Sequence, residues 1–460
     1  MNSLFLFIPA ALCLLLALIG LLCLTVAAWG LKKAKTAKTW KLTKDGVPPK
    51  LDGTKETTTP TRRTTWPRYL GVVGLVALLT GMFGVWQTGF SVGWAGKAPP
   101  EWSDGHAPQL EALIRKHCVP FMNDGKSAGM VVAVVGPTNA TVMALGRTAL
   151  CLGARTRGDT LFEIGSITKT FTAIALAQEI KQVTVQLDQP IQELLPPDIK
   201  LPEAARTVTL RQLTTHSSGF PRLPANISPF GGIKMLLFGS DPYAGYTEAE
   251  FEKALRAVKL DSRPGTKSSY SNFGGGLLGW LLARKAGTNY EALVKRDICE
   301  PLAMHDTSIT LDARQASRFA QGYRALRRVG PMLLGLRSKP WLLPNHLAGA
   351  GALRSTGADM LKYLEANMRP KGQPLEKALS ESHRELFQED DQTAMGMNWI
   401  RSANADLKQV MIWHNGGTGG FCSFLGFTED GRAGVAILSN TSESVDLLGI
   451  VLLQDLAKQH

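Results

Sequence analysis

Two long segments without a charged residue limit what this chain can fold into. Residues 3–30 and 69–96 are uncharged and mostly apolar, and each is longer than the roughly 20 residues that a helix needs to cross a bilayer. A cleaved signal peptide has a basic start and an apolar run of only about 7–15 residues, and the first segment has neither feature. The sequence therefore predicts two transmembrane helices, at residues 1–30 and 69–96.

The loop between these segments, residues 31–68, predicts the orientation of the chain. It holds eleven Lys or Arg and three Asp or Glu, which leaves a net charge of +8 out of +13 for the chain. Short loops rich in Lys and Arg stay in the cytoplasm, so we expect the domain at residues 97–460 outside it. Topology and attraction to anionic membrane lipid explain this loop with fewer assumptions than nucleic-acid binding does, and no nucleic-acid partner is predicted.

The cysteines of the chain fall into two groups. Cys13 and Cys23 lie in the first predicted membrane helix, where they are small apolar residues. Four others lie in the exported part, where oxidation is possible and three pairings stay open: Cys118, Cys151, Cys299 and Cys422. No CxxC or HxxxH pattern occurs, so neither a metal nor another cofactor is predicted.

The order of apolar patterns predicts an α/β fold for the exported domain. It opens with a helical pattern, QLEALIRKHCVPFM, and a strand-like run, GMVVAVVGP. Helical runs such as EAEFEKALRAV and GGGLLGWLLARKA fill the middle, and successive strands follow in KQVMIWHNGGTGGFCSFLGFTEDGRAGVAILSN before a last helix. Strands at both ends with helices between predict one sheet built from distant parts of the chain, with a helical insertion.

A serine and a lysine three residues apart are the first candidates for chemistry. The stretch FEIGSITKTFTA contains Ser166 and Lys169, which share one face of a helix and lie within reach of each other. The serine could be a nucleophile that the amine activates. It could also be the N-cap of the helix, which is the simpler interpretation, because a serine hydroxyl accepts a hydrogen bond from the first turn. The spacing leaves both interpretations open.

Two further motifs follow along the chain. In SSYSNFGGG, Tyr270 and Asn272 lie two apart, and in an extended segment both point to the same side. A phenol near an ammonium group could act as a general base, although a half-buried structural tyrosine gives the same pattern. In WHNGGTGGF, glycines on a strand allow a substrate backbone to come close and leave an N–H free for an oxyanion. His414 could donate into the same site or be an ordinary core histidine.

The order Ser-x-x-Lys, Tyr-x-Asn and a late His-x-Gly strand resembles the serine β-lactamase and penicillin-binding protein superfamily. More narrowly, the chain resembles the class C β-lactamase-related group of D,D-peptidases, D-aminopeptidases and β-lactamase-like esterases. The resemblance covers about residues 105–460 and includes the blocks LRQLTTHSSGFPRLP, ICEPLAMHDTS and GAGALRSTGADMLKYL. It implies a β-lactamase/transpeptidase-like antiparallel sheet that is flanked by helices and carries a helical subdomain.

The resemblance also implies roles for individual residues. Ser166 would attack a carbonyl and form an acyl-enzyme, Lys169 would hold the proton network, and Tyr270, biased towards phenolate, would serve as base and then acid. The N–H groups of Ser166 and Gly417 would form the oxyanion hole. The residues expected to contact the substrate or, for the first, to orient the lysine are Asn272, His414, Asn415 and Gly416.

The third motif departs from the pattern of most members. Lysine usually opens it, followed by Thr-Gly or Ser-Gly, whereas this chain has His414, Asn415 and Gly416. A histidine is mostly neutral near pH 7, so it suits a substrate carboxylate less well than a fixed cation does. This difference leaves the acyl group and the leaving group of the substrate open.

Two apolar stretches lie between the motifs, at residues 227–239 and 329–344. The simpler interpretation makes them core of the helical insertion. The alternative is an apolar lid over the site, beneath which membrane-derived or acylated substrates enter. The first interpretation is favoured by the sequence.

Together these patterns predict a membrane-anchored serine hydrolase of the bacterial envelope that cleaves an amide, ester or β-lactam carbonyl. Its partners would be a small-molecule or peptide substrate, including peptidoglycan-derived ones, and the membrane lipid around its two helices. One alternative is a membrane-bound penicillin- or peptidoglycan-sensing receptor that is acylated without turnover. A scaffold that binds cell-wall peptide without chemistry is another.

Overall fold

The structure is a computed structural model that describes residues 8–40, 66–94, 98–105, 107–150, 152–227 and 229–458. The chain divides into two units, Met1–Phe90 and Ser91–His460. Residues 41–65 of the predicted basic loop lie outside the described residues, and so does Cys151. Among the described cysteines of the second unit, Cys118, Cys299 and Cys422 are free thiols.

The described residues of the first unit form two helices, α1 (Ile8–Trp40) and α2 (Trp66–Thr88). In the described part of the chain, one helical segment is long and apolar enough to cross a membrane, Leu70–Thr88. The apolar part of α1, Ala11–Val26, falls short of that length. Of the two predicted transmembrane helices, the structure therefore supports one as a candidate span.

Both helices differ in extent from the prediction. Helix α1 continues beyond residue 30 to Trp40, because the run LKKAKTAKTW consists largely of good helix formers. Helix α2 stops at Thr88 instead of reaching residue 96. Gly89 has a φ of 68°, a left-handed conformation that commonly ends a helix, and the chain then forms a strand. Lack of charge alone could not distinguish this strand from the helix before it.

Fourteen strands are described in the chain. They are β1 (Phe90–Trp94), β2 (Glu101–Ser103), β3 (Gly129–Val135), β4 (Ala140–Gly146), β5 (Leu161–Glu163), β6 (Tyr323–Val329), β7 (Met332–Arg337), β8 (Arg354–Thr356), β9 (Phe387–Gln388), β10 (Thr393–Met395), β11 (Ile400–Asn404), β12 (Gln409–Gly417), β13 (Cys422–Thr428) and β14 (Gly434–Ser439).

Nine of these strands form the main sheet, in the order β2-β4-β3-β14-β13-β12-β11-β10-β9. Neighbouring strands are antiparallel throughout. Strand β3 from the start of the domain pairs with β14 from its end, with Val132 opposite Ile437. The predicted sheet assembled from distant parts of the chain is thereby confirmed. Strands β5 and β8 form a separate pair, and β1, β7 and β6 form a three-stranded sheet.

Helices cover the main sheet and fill the segment between β5 and β6. They are α3 (Pro108–Asn123), α4 (Thr168–Lys181), α5 (Leu210–Thr214), α6 (Pro229–Phe238), α7 (Glu248–Arg256), α8 (Asn272–Lys285), α9 (Tyr290–Val294), α10 (Ala313–Ser317), α11 (Gly357–Met368), α12 (Glu376–His383) and α13 (Asp446–Lys458).

Two cores hold these layers together, one on each face of the sheet. On one face, α3 and α13 bury Ile114 and Leu452 against residues such as Val132. On the other, α4 and α11 pack against the alternate residues of the same strands, with Phe171 and Val131 in one cluster. Every residue of β3 is buried, as expected for a central strand that is covered on both faces. The site described next lies where α4, α8 and β12 meet.

Candidate active site

The candidate nucleophile lies in a tight turn between β5 and α4. Ser166 is the middle residue of a 3-10 turn, Gly165–Ile167, and α4 begins only at Thr168. The N-cap residues of this turn and of the helix are Ile164 and Ile167, so Ser166 caps neither. Its hydroxyl is instead contacted by other side chains. Helix α4 therefore begins two residues after Ser166, and the helix-cap interpretation is wrong.

Gly165 brings this turn against the end of β12. Its φ is 50°, in the region that favours glycine. A Cβ at this position would lie 2.6 Å from the backbone nitrogen of Gly417, so a larger residue would push the two segments apart. The close approach places the turn of Ser166 beside the strand end that is predicted to supply the second oxyanion-hole N–H.

Lys169 is fully buried beside the serine. Its Nζ lies 3.1 Å from Oγ of Ser166, 2.8 Å from Oδ1 of Asn272 and 2.5 Å from the carbonyl oxygen of Ala350. A Cβ on Gly275 of α8 would lie 2.9 Å from Cε of Lys169. The glycine run after Asn272 therefore has a steric purpose, because it leaves room for the lysine side chain.

Burial changes the charge that Lys169 is expected to carry. The pKa of Lys169 is held well below its ordinary value, chiefly by burial and further by the positive charge of Arg222. A neutral amine has two N–H groups and one lone pair. The carbonyl of Ala350 and the amide oxygen of Asn272 can take the two N–H groups, and the lone pair is then left for the hydroxyl of Ser166.

Tyr270 contacts the same hydroxyl from another side. Its phenol donates a hydrogen bond of 2.5 Å to Oγ of Ser166, and Nζ of Lys169 lies 4.7 Å from the centre of its ring. Burial raises the pKa of Tyr270 to about 12, although the bond to Ser166 and the charge of Arg222 act in the opposite direction. The expected bias towards phenolate is therefore wrong, because loss of solvent outweighs the charge of Arg222.

The spacing suggested that Asn272 shares an extended segment with Tyr270, but the structure shows otherwise. Asn272 is the first residue of α8, and Ser271 between them caps that helix by accepting a hydrogen bond from the N–H of Gly274. The side chain of Asn272 nevertheless reaches the expected place, since its Oδ1 accepts from Lys169. The structure thus brings together Ser166, Lys169, Tyr270 and Asn272.

The third motif forms the last residues of β12. Asn415, Gly416 and Gly417 line the cavity at the serine, and the amide of Asn415 donates to the carboxylate of Asp446 at 2.7 Å. His414 is buried, does not line this cavity, and its Nδ1 lies 2.6 Å from the carbonyl oxygen of Asn415. Burial lowers the pKa of His414 to about 3, so it is neutral. It therefore does not replace the cation that a lysine would supply.

Arg222 is the functional candidate that sequence reasoning missed. It lines the cavity, and its guanidinium carbon lies 5.3 Å from the centre of the Tyr270 ring. Its carbonyl accepts the N–H of Asn272 at 3.0 Å, which ties its loop to the catalytic segment. The residue stands inside LRQLTTHSSGFPRLP, a block that was used only for its resemblance to the family, and the cation in that block was the available signal.

These residues surround a cavity of about 690 Å³. Ser166 and Tyr270 lie on its wall together with the end of β12, the start of α13 and one side of α6. Within the described ranges, no group of three His, Cys, Asp or Glu could hold a metal ion. The arrangement offers a nucleophilic hydroxyl, an amine that can accept its proton, and a phenol that can donate one.

Comparison with known proteins gives the same classification. The Beta-lactamase family model matches residues 114–456. The D-alanyl-D-alanine-carboxypeptidase/endopeptidase AmpH of Escherichia coli (strain K12) is 25% identical over 329 residues, which cover 69% of this chain and 80% of that protein. A beta-lactamase of Pseudomonas fluorescens is also 25% identical, over 73% of this chain and 94% of that protein.

Among solved structures, a class C beta-lactamase mutant shares the fold, with a TM-score of 0.64 at 21% identity. The match covers 76% of this chain and 98% of that one. The predicted fold of the domain is thereby confirmed, as is the predicted enzyme class, serine hydrolase. By a family match that spans three quarters of its length, this chain belongs to the Beta-lactamase family.

Proposed function

We propose that this protein is a membrane-anchored serine hydrolase that cleaves an amide, ester or β-lactam carbonyl through an acyl-Ser166 intermediate. The observation that carries the proposal is the pair of contacts to one oxygen. Oγ of Ser166 lies 3.1 Å from the amine of Lys169 and 2.5 Å from the phenol of Tyr270. A serine becomes an effective nucleophile when an adjacent group takes its proton, and the buried amine is suited to that.

The first half of the reaction moves the serine proton to the leaving group. As Oγ of Ser166 attacks the carbonyl, its proton passes to the neutral amine of Lys169. Tyr270 then donates its phenolic proton to the leaving nitrogen or oxygen and regains one from the lysine. The bond to the leaving group breaks, and the acyl group stays on Ser166. Water repeats the sequence in the second half and releases a carboxylic acid.

The oxyanion that forms during attack needs hydrogen-bond donors already in place. The backbone N–H groups of Ser166 and Gly417 are the candidates, because Gly165 holds the serine turn against the end of β12. Fixed backbone donors of this kind lower an acyl-transfer barrier by roughly 3–4 kcal/mol each. Asn415 and Asn272 line the same cavity and are placed to bind polar groups of the substrate.

Membrane anchoring is supported by the apolar surface of the first unit. Large apolar side chains of both helices, among them Leu18, Leu22, Val72 and Trp86, are more than half exposed, which is unfavourable in water. A Cβ on Gly20 would lie 2.3 Å from the backbone of Leu78, so α1 packs closely along the candidate span. We propose that both helices enter the bilayer and that the hydrolase lies outside the cytoplasm. Phosphatase fusions active after residue 100 and inactive after residue 50 support this topology; the reverse pattern contradicts it.

The hydrolase is tested with the full chain in nanodiscs and three substrate types: a chromogenic cephalosporin, a short-chain p-nitrophenyl ester and a D-Ala-D-Ala peptide. We expect turnover of at least one, together with a mass adduct on Ser166. Ser166→Ala should lose both, whereas Ser380→Ala, at an exposed position on α12, should keep both. Activity that survives Ser166→Ala contradicts the proposal.

The receptor alternative predicts a different result in the same experiment. A receptor takes up one equivalent of the acyl group and does not release it. Repeated turnover per Ser166 supports the hydrolase, and one permanent adduct without turnover for every substrate supports the receptor. The comparisons name carboxypeptidases and beta-lactamases among the relatives, which favours the hydrolase.

A further inference from the structure

Helix α6 (Pro229–Phe238) is apolar on more than one side. Three of its large side chains face solvent, Ile233 at 54%, Leu237 at 37% and Phe238 at 43% exposure. Met235 and Gly232 of the same helix line the cavity of Ser166. The interpretation of residues 227–239 as insertion core is therefore wrong, because a core helix buries its large apolar side chains. The lid interpretation is the one that fits.

Most of the apolar lining of the cavity comes from residues 223–243, together with Trp341. Residues of three neighbouring segments form it: Leu223, Pro224, Ile227, Met235, Pro242, Tyr243 and Trp341. We call this set, with Gly232, the apolar wall. The charged and amide side chains of the cavity, such as Arg222, Asn415 and Asp446, belong to other positions. A hydrocarbon group on a substrate would contact the apolar wall while its carbonyl lies at Ser166.

Part of the apolar wall is fixed before any substrate binds. The backbone N–H of Trp341 donates to the buried carboxyl of Glu163 at 2.8 Å, and the backbone N–H of Leu342 donates to the carboxylate of Asp241 at 2.9 Å. The rings of Trp341 and Tyr243 pack edge to face, 5.3 Å between centres. A preformed apolar surface binds a chain at a lower entropic cost than one that must first be ordered.

Gly232 leaves open space beside this fixed part. A Cβ there would meet no atom of the described residues within 4 Å, whereas a Cβ on the neighbouring Gly231 would lie 3.3 Å from the carbonyl oxygen of Pro242. Glycine inside a helix costs about 1 kcal/mol relative to alanine. Its presence at an unobstructed position costs helix stability and keeps the cavity wide at this point.

We propose that the apolar wall binds the aliphatic chain of the acyl group that is transferred to Ser166, so that the substrates are acyl esters or amides of aliphatic acids. This inference rests on the proposed acyl-Ser166 hydrolase. The ester bond to the leaving alcohol breaks, the acyl carbon bonds to Oγ, and water releases the fatty acid. A protein that is anchored in the bilayer is well placed to take such substrates from the lipid.

The test is a series of p-nitrophenyl esters from acetate to decanoate, each used below its critical micelle concentration. The enzyme is the full-length protein in nanodiscs. We expect kcat/KM to rise by up to about fourfold per methylene, the factor that burial of one CH₂ group allows, and then to level off where the cavity ends. A profile that is flat or falls beyond acetate overturns the inference.

Gly232→Leu sharpens the test because it fills the open space. We expect at least a tenfold fall in the ratio of octanoate to acetate kcat/KM, because the longer acyl chain loses more contact with the wall than acetate does. Ile233→Leu is the matched control on the same helix, since Ile233 does not line the cavity, and it should leave the ratio unchanged. Should Gly232→Leu fail to fold, Met235→Gln makes the wall polar instead and should lower the same ratio.

The two proposals fail in different ways. If no ester or amide acylates Ser166, the hydrolase itself is wrong. If acetate turns over with a Ser166 adduct but neither chain length nor Gly232→Leu changes the rate ratio, the hydrolase stands and the apolar wall does not bind acyl chains.

Discussion

The two sides of the active-site cavity are built on opposite principles. The catalytic side buries its polar groups and satisfies them: the amine of Lys169 has three polar contacts and is inaccessible to solvent. On the other side, helix α6, which carries part of the apolar wall, exposes side chains that would normally be buried, such as Ile233. Chemistry requires a dry, fixed network in which pKa values can shift. Selection of the substrate is left to a helix with few packing constraints.

This difference implies that substitutions on the catalytic side should slow every substrate, whereas those near the apolar wall should change selectivity or stability. Lys169 is the sharpest case. We expect Lys169→Ala to lower kcat by at least about 10³-fold for all substrates, since it removes the amine that both accepts the proton of Ser166 and holds its hydroxyl in place. The measurement is single-turnover acylation of Ser166 followed by intact mass.

The pH profile of the unaltered protein tests the role assigned to Lys169. Because burial holds its pKa well below the ordinary value, the neutral amine should persist at neutral pH. Acylation should then be lost as the pH falls through that lowered pKa. Lys169→Arg, which keeps a charge but cannot deprotonate, is the matched control and should be as slow as Lys169→Ala. Full activity in Lys169→Arg would contradict a neutral amine as base.

Tyr270→Phe should have the next largest effect. Loss of the phenol removes the donor to the leaving group, for which a fall of about 10²-fold is expected. The fall should be larger for an amide than for a p-nitrophenyl ester, whose leaving group needs no proton. The acid limb of the pH profile should remain, because it belongs to Lys169. Its disappearance in Tyr270→Phe would instead assign the base to the tyrosine, as the sequence had predicted.

The sequence predicted the fold of the domain and the residues that meet at its centre. Motif order was sufficient because Ser166, Tyr270 and Gly417 each stand in a local pattern with a steric cause. Gly165 admits the close approach of β12, and Gly275 makes room for Lys169. Such constraints act at fixed spacing and are therefore visible in the sequence.

What the sequence could not supply depended on burial in three dimensions. A phenol near an amine was predicted to ionise, yet burial raises the pKa of Tyr270 to about 12. The apolar run at 227–239 has the composition of a core segment, and only its neighbours show that one side of α6 lines the cavity. The role of Arg222 depends on its distance to Tyr270, which no spacing rule gives.

Arg222 should affect the binding of negatively charged substrates and not the chemical step. Its side chain lines the cavity beside Tyr270, and the cation expected from the third motif is absent because His414 is neutral. We expect Arg222→Gln to lower kcat/KM for carboxylate-bearing substrates about tenfold, as loss of one charged hydrogen bond does. A neutral ester should change less than twofold on the alkaline plateau, and Arg222→Lys should restore most of the loss. Equal effects on both substrates would contradict this role.

Glu163 should give the smallest effect on rate, because it supports the apolar wall through Trp341 and does not contact the serine. Burial raises its pKa to about 7, against the opposing charge of Arg354. Since this folded-state pKa lies above the unfolded value of about 4.5, its contribution to stability is fully present below pH 4.5. It is lost as the pH rises through 7.

Glu163→Gln removes this titration while it keeps an acceptor for the N–H of Trp341. We expect the Tm of the unaltered protein, measured relative to that of Glu163→Gln, to fall between pH 5 and pH 8. Comparison of the two proteins cancels the other titrating groups, including the buried histidines. The octanoate-to-acetate ratio should be the same in both, because the oxygen that holds Trp341 remains. A Tm difference that is constant over this range would show that the carboxyl titrates normally and that burial does not set its charge.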